Sequence, residues 1–133
     1  ADIAAVTLKT EDDFGRVLPS VEKQLHKEDN PEHAVKLTLA GYKKLQVGEF
    51  ESAKEYFLKA LEIDPVNPYA LMNLGVVYEQ EGNPDEAVKM YQAVVATGTD
   101  AVADTSTDPD KTGTPLVQIA AESIERIMGT NKR

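Results

Sequence analysis

Cysteine and tryptophan are both absent from the 133 residues. The first absence removes a disulfide framework, thiolate chemistry and any cysteine-based zinc site, and it fits any compartment. Histidine is scarce: His26 and His33 are the two imidazoles, seven residues apart on either side of an expected helix break. That spacing suits neither a metal site nor a catalytic triad, and both read as surface residues. No run approaches the ~20 apolar residues that a membrane-crossing helix needs, which predicts a soluble chain without membrane insertion. Nor does a cationic stretch precede an apolar one, as it would in a retained signal peptide. The chain opens at Ala1. A removed signal peptide, a trimmed Met-Ala start or a fragment boundary each account for that, so cytoplasmic and periplasmic locations both stay open. Basic residues are also short, 14 against 23 acidic, for a net charge of −9. Such a surface repels polyphosphates and anionic membranes, so nucleic acid is not an expected partner.

What is present supports a single domain, with 41% apolar residues and a length that buries about two-thirds of the unfolded surface. The informative stretch is Leu71–Tyr91. Leu71, Leu74 and Tyr78 recur three and four residues apart and share one helical face. Gly82 can take the left-handed conformation that ends a helix, and Asn83-Pro84 supplies an N-cap and a first-turn proline for the next. This reads as two antiparallel helices joined by a tight turn. Thirty-four residues earlier, Leu37, Gly41, Gln46, Gly48 and Ala53 match Leu71, Gly75, Gln80, Gly82 and Ala87, and Phe57 stands where Tyr91 does.

A helix–turn–helix period of that length resembles the tetratricopeptide repeat family, over about residues 34–101. The resemblance implies that Gly41/Gly75, Ala53/Ala87 and Ala60 sit where helices approach most closely. It implies too that Leu37/Leu71, Leu74, Tyr78 and Phe57/Tyr91 fill the spaces between. The pattern departs from the family at Lys44, where Tyr78 would predict an aromatic, at Val94, where alanine is usual, and at Thr99, which replaces the proline seen at Pro65. The expected fold is all-α: two tetratricopeptide helix–turn–helix repeats in a right-handed superhelical stack, with an N-terminal and a C-terminal capping helix.

In chain order, residues 1–9 form an N-terminal arm, extended or frayed. Thr10 and the acidic residues after it open an amphipathic capping helix over 10–28, carrying Phe14, Val17, Leu18, Val21 and Leu25, with Pro19 kinking or breaking it. Repeat one (34–67) has helices over about 32–46, opened by Asn30-Pro31, and 50–63. Repeat two (68–101) has helices over about 68–81 and 84–96. A polar loop follows over 97–114, of a length that is usually functional or poorly ordered. Thr114-Pro115 then opens a C-terminal capping helix over 115–128, ended by Gly129.

The family resemblance implies a concave groove lined by the first helix of each repeat. The groove residues would be Val35, Thr38, Tyr42, Leu45 and Gln46 from repeat one, and Tyr69, Met72, Asn73, Val76, Glu79 and Gln80 from repeat two. Tyrosines, an adaptable methionine and amides suit an extended or helical peptide, although an end helix or the N-terminal arm filling the groove is the competing reading. A carboxylate clamp, as in some family members, finds only Asn73 here. Lys36, Lys43 and Lys44 form a basic stripe, either facing an acidic partner or paired with neighbouring carboxylates. Asp110-Lys111-Thr112-Gly113-Thr114 spells the phosphorylation motif of P-type ATPases, but that aspartate must end a buried parallel strand. Asp108, Asp110 and Thr112 also begin like a calcium loop, yet Ile119 stands at its twelfth position. The sequence thus predicts no catalytic residue, metal or cofactor. It predicts a non-catalytic protein–protein interaction module or scaffold, with self-assembly into a homo-oligomer as the alternative.

Overall fold

The computed structural model describes residues 30–104 and 109–131, so the expected arm over 1–9 and capping helix over 10–28 lie outside the described residues. Five α-helices are described: α1 (Pro31–Gln46), α2 (Phe50–Ile63), α3 (Pro68–Gln80), α4 (Pro84–Thr97) and α5 (Leu116–Asn131). A 3-10 turn, Pro109–Lys111, precedes α5. There is no strand among the described residues beyond an isolated bridge between Val102 and Pro115. The described residues from Ala34 onward form one compact unit.

The turns follow from the residues that occupy them. Gly48 and Gly82 have φ of 79° and 78°, a left-handed conformation that only glycine takes without strain. Asn30 caps α1, its Oδ1 accepting the His33 N–H at 2.8 Å. Asn67 caps α3 through two N–H groups, those of Tyr69 at 3.0 Å and Ala70 at 3.2 Å. Asn83 holds the same position before α4, but its side chain makes no capping hydrogen bond. Asp85 and Glu86 in the first turn supply the favourable charge there instead.

The two glycines at the 34-residue period explain the packing of each hairpin. A Cβ on Gly41 would lie 2.6 Å from the Phe57 ring, and one on Gly75 would lie 2.6 Å from the Tyr91 ring. Each helix pair therefore closes by seating an aromatic ring directly on glycine backbone. Phe57 and Tyr91 are both fully buried, and burial of such a ring contributes about 1.5–3 kcal/mol. Phe57 joins Ala53, Leu74 and Val77 where α2 meets α3. Tyr91 joins a larger cluster that runs from Leu71, Met72 and Ala87 to Leu116, Ile119, Ala120 and Ile127 of α5.

Two expectations about the C-terminal end are corrected. First, α5 begins at Leu116 and not Pro115, because the backbone just before it is committed elsewhere. The Thr114 carbonyl accepts from Ala103 N–H at 2.8 Å, and Leu116 N–H donates to the Ala101 carbonyl at 3.0 Å. Second, α5 continues through Gly129 to Asn131, and Gly129 is not among the glycines with positive φ. Glycine permits a left-handed stop without demanding one. At Gly48 and Gly82 the next helix must fold back, whereas no described contact imposes a reversal at Gly129.

The segment after α4 also has more structure than its composition suggests. Gly98, with φ of 64°, ends α4 in the left-handed conformation. Ala103 is buried at 1% exposure in the cluster between α4 and α5. Its N–H and carbonyl are both held by the returning stretch of chain, from Thr114 and Gly113. The base of the segment is thereby closed by backbone hydrogen bonds.

Candidate partner-binding surface

On α1, Val35, Leu39, Tyr42 and Gln46 fall at i, i+4, i+7 and i+11 and share one face. Val35 is 52% and Leu39 43% exposed; Tyr42 is half-buried and Gln46 exposed. Two other candidates on this helix turn elsewhere. Thr38 is buried, its hydroxyl donating back to the Ala34 carbonyl at 2.8 Å. Leu45 packs against the cluster between α2 and α3. Of the basic stripe, Lys44 pairs with Glu49 at 3.0 Å, while Lys36 and Lys43 are exposed beside Val35 and Leu39.

On α3 the candidates divide by depth. Met72 and Asn73 are buried, Val76 and Glu79 are half-buried, and Gln80 is exposed. Tyr69 is anchored by its hydroxyl, which donates to the Val102 carbonyl at 2.9 Å. Burial, with Asp104 nearby, raises the Tyr69 phenol above its ordinary pKa. Met72, Val76 and Glu79 face Ile119, Glu122, Ser123 and Arg126 of α5 across a cavity of 320 Å³ that Tyr91 and Lys111 also line.

Glu79 is the hub of this part of the surface. It accepts from the Tyr91 hydroxyl at 2.7 Å and from both terminal guanidinium nitrogens of Arg126 at 2.7 and 3.0 Å. Burial pushes the Glu79 carboxyl upward, but the hydrogen bonds from Arg126 and Tyr91 outweigh it, and the net shift is downward. Burial pushes the Tyr91 phenol far above its usual range, and its bond to the Glu79 carboxylate adds to that. The group is held as a carboxylate between a guanidinium and a neutral phenol. It ties α3, α4 and α5 together.

Of the polar motif in the loop, only Lys111 reaches the cavity between α3 and α5. Asp110 and Lys111 are exposed within the 3-10 turn, and Thr112 and Gly113 are exposed after it. His33 is half-buried in the first turn of α1, and His26 lies outside the described residues. Among the described residues, no three His, Cys, Asp or Glu side chains gather as a metal site would require. No helix among them is long and apolar enough to cross a membrane.

Sequence reasoning did not find Leu39, nor the α5 residues Ile119, Ser123 and Arg126. A signal for the latter existed. Glu79 and Arg126 are 47 residues apart, and Met72 with Ile119, and Val76 with Ser123, share that offset. Counting from Pro68 and Pro115 sets α5 in register with α3.

Residues 38–102 match the family model of the tetratricopeptide repeat. Repeats of this family are typically non-catalytic and generally serve as protein–protein interaction modules. The match spans the two glycine–aromatic helix pairs and the α3 face described above. Over residues 38–102 the chain carries tetratricopeptide repeats, within an all-α fold.

Proposed function

We propose that the chain is a non-catalytic adaptor or scaffold that docks an extended peptide or a partner helix on the face shared by α1 and α3. The observation that carries this reading is the accessible row on α1, where Val35 and Leu39 stay 52% and 43% exposed beside Tyr42. Apolar side chains with a tyrosine at their centre suit a ligand that buries a few anchor residues. Gln46 and Gln80 offer amides at the edge for backbone groups. Val76 and Gln80 stand one repeat on from Tyr42 and Gln46, while Thr38, Met72 and Asn73 are buried and Leu45 and Glu79 are engaged within the fold. Lys36 and Lys43 beside the row favour a ligand with acidic flanks.

The test is capture from a lysate of the source organism with wild-type bait and with Val35→Glu/Tyr42→Ala. Val35 is 52% exposed and Tyr42 half-buried, so the variant's far-UV circular dichroism is compared with wild type alongside. A protein retained by wild type and lost by the variant supports the reading. Equal capture by both sinks it. Self-association on this face would appear as a wild-type mass that rises with concentration and falls back to monomer in the variant.

A further inference from the structure

We infer that the outer slot between α4 and α5 is a second docking site, and that it takes an amphipathic helix whose apolar stripe is flanked by lysine or arginine. The slot has a volume of 580 Å³ and is lined from α4 and α5 alone, with Glu122 bordering both it and the cavity that faces α3. Its floor is apolar: Val95 of α4 is 39% exposed, Met128 of α5 is 46% exposed, and Ile124 lies half-buried between them.

The repeat geometry says why the occupant is a helix. In α3, Leu71, Gly75 and Tyr78 lie on the side against which α4 packs. Advanced by the 47-residue offset, these positions are Gln118, Glu122 and Glu125, and all three line the slot. The slot is thus the place that α4 holds relative to α3, repeated one step further along. A helix satisfies its own backbone and needs only a matching face to enter that place.

Charge selects which helix. Where α3 offers leucine, glycine and tyrosine, α5 offers an amide and two carboxylates, and Gln92 faces them from α4. Among the described residues, no basic side chain lines the slot. Arg126, next to Glu125 in sequence, is turned to the other side of α5 by its pairing with Glu79. An apolar floor with an acidic rim complements an apolar stripe with cationic flanks. A second copy pairing slot to slot would set Glu122 and Glu125 against their own counterparts, in a chain of net charge −9. That disfavours self-association here.

The experiment uses the full chain and a designed amphipathic helical peptide with a leucine stripe flanked by lysines. Its counterpart replaces every lysine with glutamate. Binding is followed by fluorescence anisotropy, and the site is mapped by amide chemical-shift changes. The lysine peptide is expected to bind with shifts centred on Val95, Glu122 and Met128, and the glutamate peptide to show no binding. Glu122→Lys/Glu125→Lys should weaken the lysine peptide about tenfold or more, with the residual affinity losing its salt dependence. Ala121→Trp, at an exposed position lining the slot, should block binding by filling the space while leaving the fold intact. Shifts centred on α1, equal affinity for the two peptides, or no effect of either variant would overturn the inference. So would a dimer that Ala121→Trp dissociates, since the slot would then belong to a second copy. Because Val35 and Tyr42 lie on α1, Val35→Glu/Tyr42→Ala should leave the lysine peptide's affinity unchanged, which separates this site from the α1–α3 face.

Discussion

Replacing Gly75 with alanine tests how the hairpins close. In a free helix the change is favourable by about 1 kcal/mol, because glycine loses more backbone freedom on folding. Here the new methyl would lie 2.6 Å from Tyr91 Cε1 and 2.9 Å from both Cδ1 and Cζ. The ring cannot swing aside, since it is 1% exposed and its hydroxyl is held by Glu79 at 2.7 Å. Overpacking of this kind costs about 1–3 kcal/mol, occasionally more, so after the helix gain a net loss of up to roughly 2 kcal/mol is expected. Gly129 provides the comparison within the same fold. It is helical, and a Cβ added there would meet nothing within 4 Å, so Gly129→Ala should gain up to about 1 kcal/mol. Urea denaturation of the wild type and both variants measures the two changes on one scale. Gly75→Ala at or above wild-type stability would show that the ring yields freely, and the reasoning about glycine–aromatic seating would fail.

The asparagine caps should separate: Asn67→Ala loses two hydrogen bonds and about 1 kcal/mol, while Asn83→Ala, with no cap bond to lose, should fall well short of that in the same urea assay. The Glu79 carboxyl is lowered in the folded chain, so its contribution is present above the usual carboxylate range and is lost as pH falls through the lowered value. Amide exchange in α5 should accordingly quicken at acid pH relative to α2, and Arg126→Ala should weaken that dependence; an unchanged profile would count against the Glu79–Arg126 tie. Tyr69→Phe removes the bond to the Val102 carbonyl and should lower exchange protection at Ala103 with little change at Leu74. Equal effects at both positions would mean that Tyr69 acts on the whole domain.

The parts of the fold legible in the sequence were those set by short spacing. Gly41 and Gly75, each followed by an aromatic in the next helix, announce their hairpins because both partners lie inside one repeat. Gly48, Gly82 and the Asn-Pro pairs mark turns by local backbone chemistry. The site was less legible because its shape depends on contacts across the irregular spacing after α4. Met72 is buried by α5, and Glu79 finds Arg126 only because a polar segment shifts the next helix away from the 34-residue period. No local rule predicts that partner. Gly129 misled for the opposite reason: its local chemistry allowed a stop that the packing did not require. Asn83 likewise has the residue type of a cap in a geometry that leaves its side chain uncommitted.

The closed base of the segment after α4 separates how long that segment is from where α5 lands. Ala101, Ala103, Gly113, Thr114 and Leu116 fasten the two ends to each other through backbone atoms, so the position of α5 is set at the neck. The cost of lengthening a loop whose ends are already fixed grows only slowly with its length. Added length between Asp104 and Pro109 should therefore leave the neck in place. A reporter peptide or an affinity tag placed there should leave the seating of α5 on α4, and both faces of the repeat array, undisturbed.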